Sequence, residues 1–197
     1  MKLAYPYLYL DARDFQVNWG GRVVDLVLLV AVGVNQGGYQ EVLAVEPAGG
    51  ERKEAWRNRL KGLREGGLRG VREGISHDHP SLRPAVMAEL SGVGWQRCVV
   101  HVARKGLAHV PQSEGGLDPP RVLEFLRGHQ RHLKSTNVLE WVSREVNCGT
   151  EGVGVFPNKK RLANLDTVVR LQDWAFRRYR DMGLLWAAES EPTKIAT

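Results

Sequence analysis

The first fifty residues alternate between apolar and polar positions in a way that predicts three strands. In YPYLYLDARDF, residues 5–15, tyrosines and leucines alternate with the period of two that is typical of a strand, and Asp11 shares the parity of the tyrosines. The apolar run RVVDLVLLVAVGVN and the segment YQEVLAVEP follow, introduced by the turns NWGG and NQGG. We therefore predict an antiparallel meander with short hairpin connections, and we place Asp11 at the exit of its first strand.

The period then changes to that of a helix. In ERKEAWRNRLKGLREGG the apolar residues Trp56, Leu60 and Leu63 recur at helical spacing among charges, which predicts an amphipathic helix that ends at two glycines. Further along, LRGVREGIS predicts a fourth strand, SLRPAVMAELSG a short helix and GWQRCVVHVA a fifth strand. A meander followed by βαβ units predicts an α/β protein of the α+β type, a mixed sheet with flanking helices.

The second half of the chain has a weaker pattern. We predict a core sheet over residues 1–112, a joint over 113–134, helices over 135–186 and a frayed tail over 187–197. The longer helix of the third region, within KKRLANLDTVVRLQDWAFRRYRDMG, combines an apolar face with many basic residues.

Composition narrows the class of protein. The 197 residues, 43 % of them hydrophobic, suit one globular domain. An excess of basic over acidic residues gives a net charge of +6, which favours a polyanionic partner. Two cysteines are too few for a disulfide framework, and the longest apolar run is about half of the roughly 20 residues that a membrane span requires. With no apparent secretion signal, we expect a cytoplasmic protein and no membrane association.

Several short motifs occur in a characteristic order. They are YLYLDA at 7–12, ISHDHPSL at 75–82, WQRCVVH at 95–101, STNVLE at 135–140 and VGVFPN at 153–158. Together they closely resemble the bacterial Mutator-type insertion-sequence transposases, over almost the whole chain. The resemblance implies an RNase H-like core whose Asp-Asp-Glu (DDE) triad holds two Mg²⁺ or Mn²⁺ ions and cleaves and transfers DNA strands in transposition.

The resemblance also implies which residues form the catalytic and metal-binding triad: Asp11, Asp78 and Glu140. Without the family, Asp11 would equally suit a strand cap or a turn hydrogen bond. Because DNA must reach the triad, we expect the site to be partly exposed, with Asp11 and Glu140 close together. The family's Ser-Thr-Asn-x-x-Glu motif, which a helix-capping box would also explain, maps onto Ser135, Thr136, Asn137 and Glu140.

The second aspartate departs from the family pattern. Where the family has Ile-Ser-Asp-x-His, this chain reads Ile75-Ser76-His77-Asp78-His79, so His77 stands in the place of the aspartate and His79 matches the family histidine. Asp78 lies one residue away, and a one-residue shift turns a side chain to the opposite face of a strand. Asp78 therefore fills the role only if the strand end is locally shifted or bulged.

Two more features follow from the resemblance. Cys98 and His101 match a family Cys-x-x-His pair, which supports the fold, whereas two ligands are too few for a zinc site. The family has a large helical insertion between its second and third acids and a DNA-binding region before its first strand, and we expect both to be missing from this chain. The chain is thus expected to be an internally deleted remnant with impaired or no activity.

Three functions stay open: a transposase by descent, a non-catalytic DNA-binding remnant, and an RNase H-like nuclease with water as its nucleophile. Each has DNA as its partner, and we expect the protein to be associated with the bacterial nucleoid. Whether it forms a homo-oligomer is left open. The basic residues expected to contact DNA are Lys159, Lys160, Arg161, Arg170, Arg177 and Arg178.

Overall fold

The structure is a computed structural model. It describes residues 4–77 and 79–98 of the chain, together with Phe156 and Asn158. The predicted joint, C-terminal helices and tail lie almost entirely outside the described residues. Within these residues, no helix is long and apolar enough to cross a membrane.

Five strands form one mixed sheet. Three of them, β1 (Tyr7–Trp19), β2 (Arg22–Val34) and β3 (Gln40–Ala48), form an antiparallel meander. The short strands β4 (Glu73–Ser76) and β5 (Gly94–Arg97) add to the edge of β1 in parallel orientation, which gives the strand order β3-β2-β1-β4-β5. The prediction of a meander continued by a βαβ unit in a mixed α+β sheet is confirmed over these residues.

Two helices cover one face of the sheet. They are α1 (Lys53–Glu65), which connects β3 to β4, and α2 (Leu82–Glu89), which connects β4 to β5. Trp56 and Leu60 of α1 are fully buried against Leu8 and Leu10 of β1, as their helical spacing predicts. Burial of a leucine side chain contributes about 1.5–3 kcal/mol, so this layer fixes the helices on the sheet.

The opposite face of the central strands is also buried. Tyr7 and Tyr9 of β1 are at most 1 % exposed, and Val30 and Val32 of β2 are almost equally inaccessible. Burial on both faces explains why β2 carries a nearly continuous apolar run, which is the pattern of a central strand covered on two sides.

The predicted position of Asp11 at the end of its strand is wrong in one respect. β1 continues to Trp19, because it stays paired with β2 along its whole length. What ends at Leu10 is the pairing with β4. Asp11 is therefore inside β1, at the first position beyond the parallel pairs.

The same edge of β1 has a second neighbour further along. Phe156, from the VGVFPN motif, bridges to Val17: its N–H donates to the carbonyl of Gln16 at 2.7 Å, and its carbonyl accepts the N–H of Asn18 at 2.7 Å. Its ring also meets Phe15 edge-on at a centroid distance of 5.6 Å. The stretch of β1 that begins at Asp11 thus lies between the end of β4 and the bridge to Phe156.

Candidate active site

The parallel register of β1 and β4 decides which residues meet beside Asp11. Leu10 pairs with Ser76 as the last pair of the ladder. The residues that follow this pair in the sequence are Asp11, still within β1, and His77, just after β4. Nδ1 of His77 lies 3.0 Å from Oδ1 of Asp11. The structure therefore brings the family-matched acid together with the histidine that replaces the second family acid.

The contact satisfies a carboxylate that is out of water. The side chain of Asp11 is 6 % exposed and that of His77 is 37 % exposed. Because a buried carboxylate is costly without a partner, His77 stabilises Asp11 in this position. Asp11, which we expected at a partly exposed site shared with Glu140, is buried, and Glu140 lies outside the described residues.

The contact also defines where a proton sits on His77. A carboxylate can only accept hydrogen bonds, so Nδ1 of His77 carries a proton when it faces Asp11, whether the ring is neutral or charged. That nitrogen has no lone pair to offer a metal ion while the contact persists.

Ser76 and its neighbours hold the end of β4 in place. The buried hydroxyl of Ser76 accepts a hydrogen bond from Trp95 Nε1 at 3.0 Å and donates to the carbonyl of His77 at 2.9 Å. The backbone N–H of Cys98 donates to the carbonyl of Ser76 at 2.8 Å. Buried Cys98 thus lies beside the strand end that carries the motif, and the β1–β4 register reaches Ser76 without a shift.

A second acid–histidine pair lies close by, and sequence reasoning missed its acid. Oε1 of Glu51 lies 3.4 Å from Nδ1 of His79 and accepts a hydrogen bond from Trp56 Nε1 at 3.1 Å. The backbone N–H of Ser81 points to the same nitrogen of His79 at 3.3 Å. Nδ1 therefore accepts from Ser81 when it is unprotonated and donates to Glu51 when it is protonated. The sequence offered only an acid just ahead of α1, which is too common to single out.

The two pairs influence each other electrostatically. Burial raises the pKa of Glu51 and is the largest cause of its shift. The hydrogen bond from Trp56 and the nearby His79 lower this pKa, whereas the charges of Asp11 and Asp14 raise it further. The net direction is upward, since like charges and loss of water both disfavour the ionised form. Glu51 thus belongs to the same acidic and imidazole cluster as Asp11.

The described residues do not by themselves make up a Mg²⁺ site, and Asp78 and Glu140 of the predicted triad lie outside them. Within residues 4–77 and 79–98, no three His, Cys, Asp or Glu side chains are grouped so that they could hold a metal ion. Mg²⁺ requires oxygen ligands in octahedral geometry, and the partner that faces Asp11 is a protonated nitrogen. Mn²⁺ also favours oxygen ligands.

The other predicted site residues stay predictions. They lie outside the described residues: Asp78, His101, Ser135, Thr136, Asn137, Glu140, Lys159, Lys160, Arg161, Arg170, Arg177 and Arg178.

Comparison with known proteins defines the family. Residues 1–117 match the model of the Mutator family of transposases. The transposase for insertion sequence element ISRM5 of Rhizobium meliloti (strain 1021) is 31 % identical over 86 % of this chain. The transposase for IS406 of Burkholderia multivorans is 31 % identical over 78 % of it, and that for IS1081 of Mycobacterium tuberculosis is 28 % identical over 98 %. The chain belongs to the Mutator family of transposases.

The relatives are longer than this chain. It covers 54 % of the ISRM5 transposase, 51 % of the IS406 transposase and 60 % of the IS1081 transposase. The alignment with the IS1081 transposase extends over 247 positions, more than the 197 residues of this chain, so that relative has residues that interrupt the match.

Replacing Glu51 with glutamine should flatten the pH dependence of stability. Because folding raises the pKa of Glu51, the native state holds this proton more tightly than the unfolded state. The resulting stability is fully present below the ordinary glutamate pKa of about 4.3 and is lost as the pH rises through the raised pKa. Denaturant unfolding between about pH 4 and about pH 8 should therefore show a smaller decline for Glu51→Gln than for the parent chain.

The matched control is Glu54→Gln, which changes an exposed glutamate in the first turn of α1. It should leave the pH dependence of the unfolding free energy as it is in the parent. Equal slopes for the parent and both variants would contradict the role assigned to Glu51.

Proposed function

We propose that the chain descends from a transposase that cleaved and joined DNA strands at the ends of an insertion sequence, and that its own metal-dependent activity is impaired. The family membership and the strand order support the descent. A three-stranded meander extended by parallel strands on the edge of its first strand is the arrangement expected of an RNase H-like core.

The contact between Asp11 and His77 is the observation that carries the impairment. In the family pattern this position holds an aspartate, which would face Asp11 as a second hard oxygen donor. Histidine removes that negative charge and supplies a softer nitrogen. Its Nδ1 proton is directed at Oδ1 of Asp11, so the imidazole competes with a divalent cation for this oxygen.

The interrupted match to the IS1081 transposase supports the same proposal. A transposase must hold transposon-end DNA as well as cleave it, and residues that interrupt the match to this chain belong to the relatives. We propose that the interrupting residues include the helical insertion between the second and third acids of the family, and that a chain without this insertion binds DNA ends more weakly.

Cleavage of supercoiled DNA tests this proposal. The parent chain, with Mg²⁺ or Mn²⁺, should nick the DNA slowly or not at all. His77→Asp restores the family residue beside Asp11, and it should raise the nicking rate by roughly tenfold or more, equivalent to about 1.4 kcal/mol of barrier. The double variant His77→Asp, Asp11→Ala should lose this gain.

Two outcomes would count against the proposal. If the parent nicks as fast as His77→Asp, and Asp11→Ala abolishes both activities, the histidine does not impair the site. If Asp11→Ala leaves the activity of either protein unchanged, the site is not where we place it.

A second candidate function is non-catalytic DNA binding, which the net charge of +6 favours. Eight of the 28 lysines and arginines lie between residue 159 and the C-terminal end of the sequence, beginning with Lys159, Lys160 and Arg161. A basic segment binds phosphates by releasing counterions, and this needs no metal ion and no intact triad.

DNA binding of this kind should be weak, non-specific and strongly dependent on salt. We expect a dissociation constant on the order of 10⁻⁴–10⁻⁶ M near physiological salt. If about four phosphates are neutralised, the affinity should fall roughly 100-fold between about 50 mM and about 200 mM salt. Fluorescence anisotropy with a labelled duplex measures this dependence, and affinity that ignores salt would remove the electrostatic basis of the candidate.

A further inference from the structure

The excess positive charge of the chain is concentrated in α1 and the residues just after it. Residues 52–72 hold eight lysines and arginines against two glutamates, a net charge of +6 that equals the net charge of the whole sequence. The segment from residue 159 to the C-terminus holds as many cations, but five acids reduce its net charge to +3. The stretch that contains α1 is therefore the stronger candidate for contact with a polyanion.

The spacing of the cations places three of them in one row on the helix. Lys53, Arg57 and Lys61 recur every four residues, and side chains four apart are neighbours on a helix surface. We call these three residues the Lys53 row. All three are exposed, whereas Trp56 and Leu60 of the same helix are buried against the sheet. At a rise of 1.5 Å per residue, the row extends over about 12 Å of α1.

The acids next to the row do not cancel its charge. The carboxylate of Glu89 in α2 lies 2.9 Å from Nε of Arg57 and 3.7 Å from Nη2 of Arg64, so one negative charge faces two positive ones. The side chain of Arg57 stays 50 % exposed despite this contact. Lys61 and Glu65 are 4.0 Å apart and both more than half exposed, and an exposed pair of this kind is weak. The row therefore keeps a positive charge that solvent can reach.

The row begins next to the candidate active site. Glu51 precedes Lys53 by two residues, and its carboxylate contacts His79 at 3.4 Å. Glu51 is also near enough to Asp11 for the charge of that acid to raise its pKa. The N-terminal end of α1 therefore lies at the cluster that contains Asp11, and the Lys53 row leads away from this cluster along the helix.

We propose that the Lys53 row contacts the phosphate backbone of duplex DNA on one side of the position where a strand meets Asp11. Lysine and arginine side chains bind phosphates whatever the base sequence, so this contact positions the duplex and does not select a sequence. A row of about 12 Å corresponds to roughly three to four base pairs at 3.4 Å per pair. The inference rests on the proposed function, because it takes DNA as the partner, and it adds the surface that holds the DNA.

Fluorescence anisotropy with a labelled duplex at several salt concentrations tests the surface. A chelator is present, so that binding is observed without cleavage. The double variant Lys53→Gln, Lys61→Gln should reduce the slope of log affinity against log salt by about 2, one for each lost phosphate contact. Its affinity at about 50 mM salt should fall roughly tenfold or more. Arg57→Gln should reduce the slope by about 1, whereas Arg57→Lys, which keeps the charge, should bind nearly as tightly as the parent.

Two further variants serve as controls. Arg22→Gln removes an exposed cation at the turn between β1 and β2, outside α1, and should leave the salt slope nearly unchanged. Glu65→Gln removes the acid beside Lys61, so it should strengthen binding by roughly twofold. Circular dichroism and thermal unfolding check that each variant is folded. If the double variant does not fold, Arg57→Gln and Glu65→Gln still decide the question, because their expected effects have opposite signs.

The inference is overturned if the double variant keeps the salt slope of the parent, or if Arg22→Gln reduces the slope by as much for each charge removed. It is also overturned if Lys159→Gln, Lys160→Gln removes the salt dependence while the double variant in α1 retains it. A parent chain that binds no duplex at low salt overturns it as well. Loss of binding in the α1 variants without nicking by His77→Asp would support the Lys53 row and contradict the proposed chemistry, so the two failures are distinguishable.

Discussion

The parallel register between β1 and β4 is the constraint on which the candidate site depends. The ladder ends at the pair of Leu10 and Ser76. The residues that follow are Asp11 and His77, and Oδ1 of Asp11 lies 3.0 Å from Nδ1 of His77. Side chains alternate between faces along a strand, and the residue after Ser76 is the one that meets Asp11. Residue 77 therefore supplies the partner that Asp11 has in this structure.

β1 connects the core, the buried acid and the hairpin tip. Through Leu8 and Leu10 it packs on the helices, and its parallel pairing with β4 brings His77 beside Asp11. Through Asp11 it supplies the buried acid, and its distal end pairs with β2 as far as the turn after Trp19. A single extended strand thus holds the candidate site on a rigid element of the core.

The sequence predicted the meander, both helices and the fourth and fifth strands, because Trp56 and Leu60 show helical spacing and the early strands alternate clearly. It did not predict that β1 continues past Asp11, since Asp11, Arg13 and Asp14 interrupt the apolar pattern and the pairing with β2 is a tertiary effect. Glu51 was missed for a similar reason. Its contact with His79 joins residues far apart in the sequence and follows no local pattern.

Calorimetric titration with Mg²⁺ tests the central claim most directly, on the parent chain and on the variants His77→Asp and Asp78→Ala. His77→Asp provides a second carboxylate where the imidazole now faces Asp11, and we predict that it tightens Mg²⁺ binding by roughly tenfold or more. Asp78→Ala should change the affinity little. If Asp78→Ala instead abolishes Mg²⁺ binding while His77→Asp has no effect, the second acid of the site is Asp78, and the contact between Asp11 and His77 does not impair metal binding.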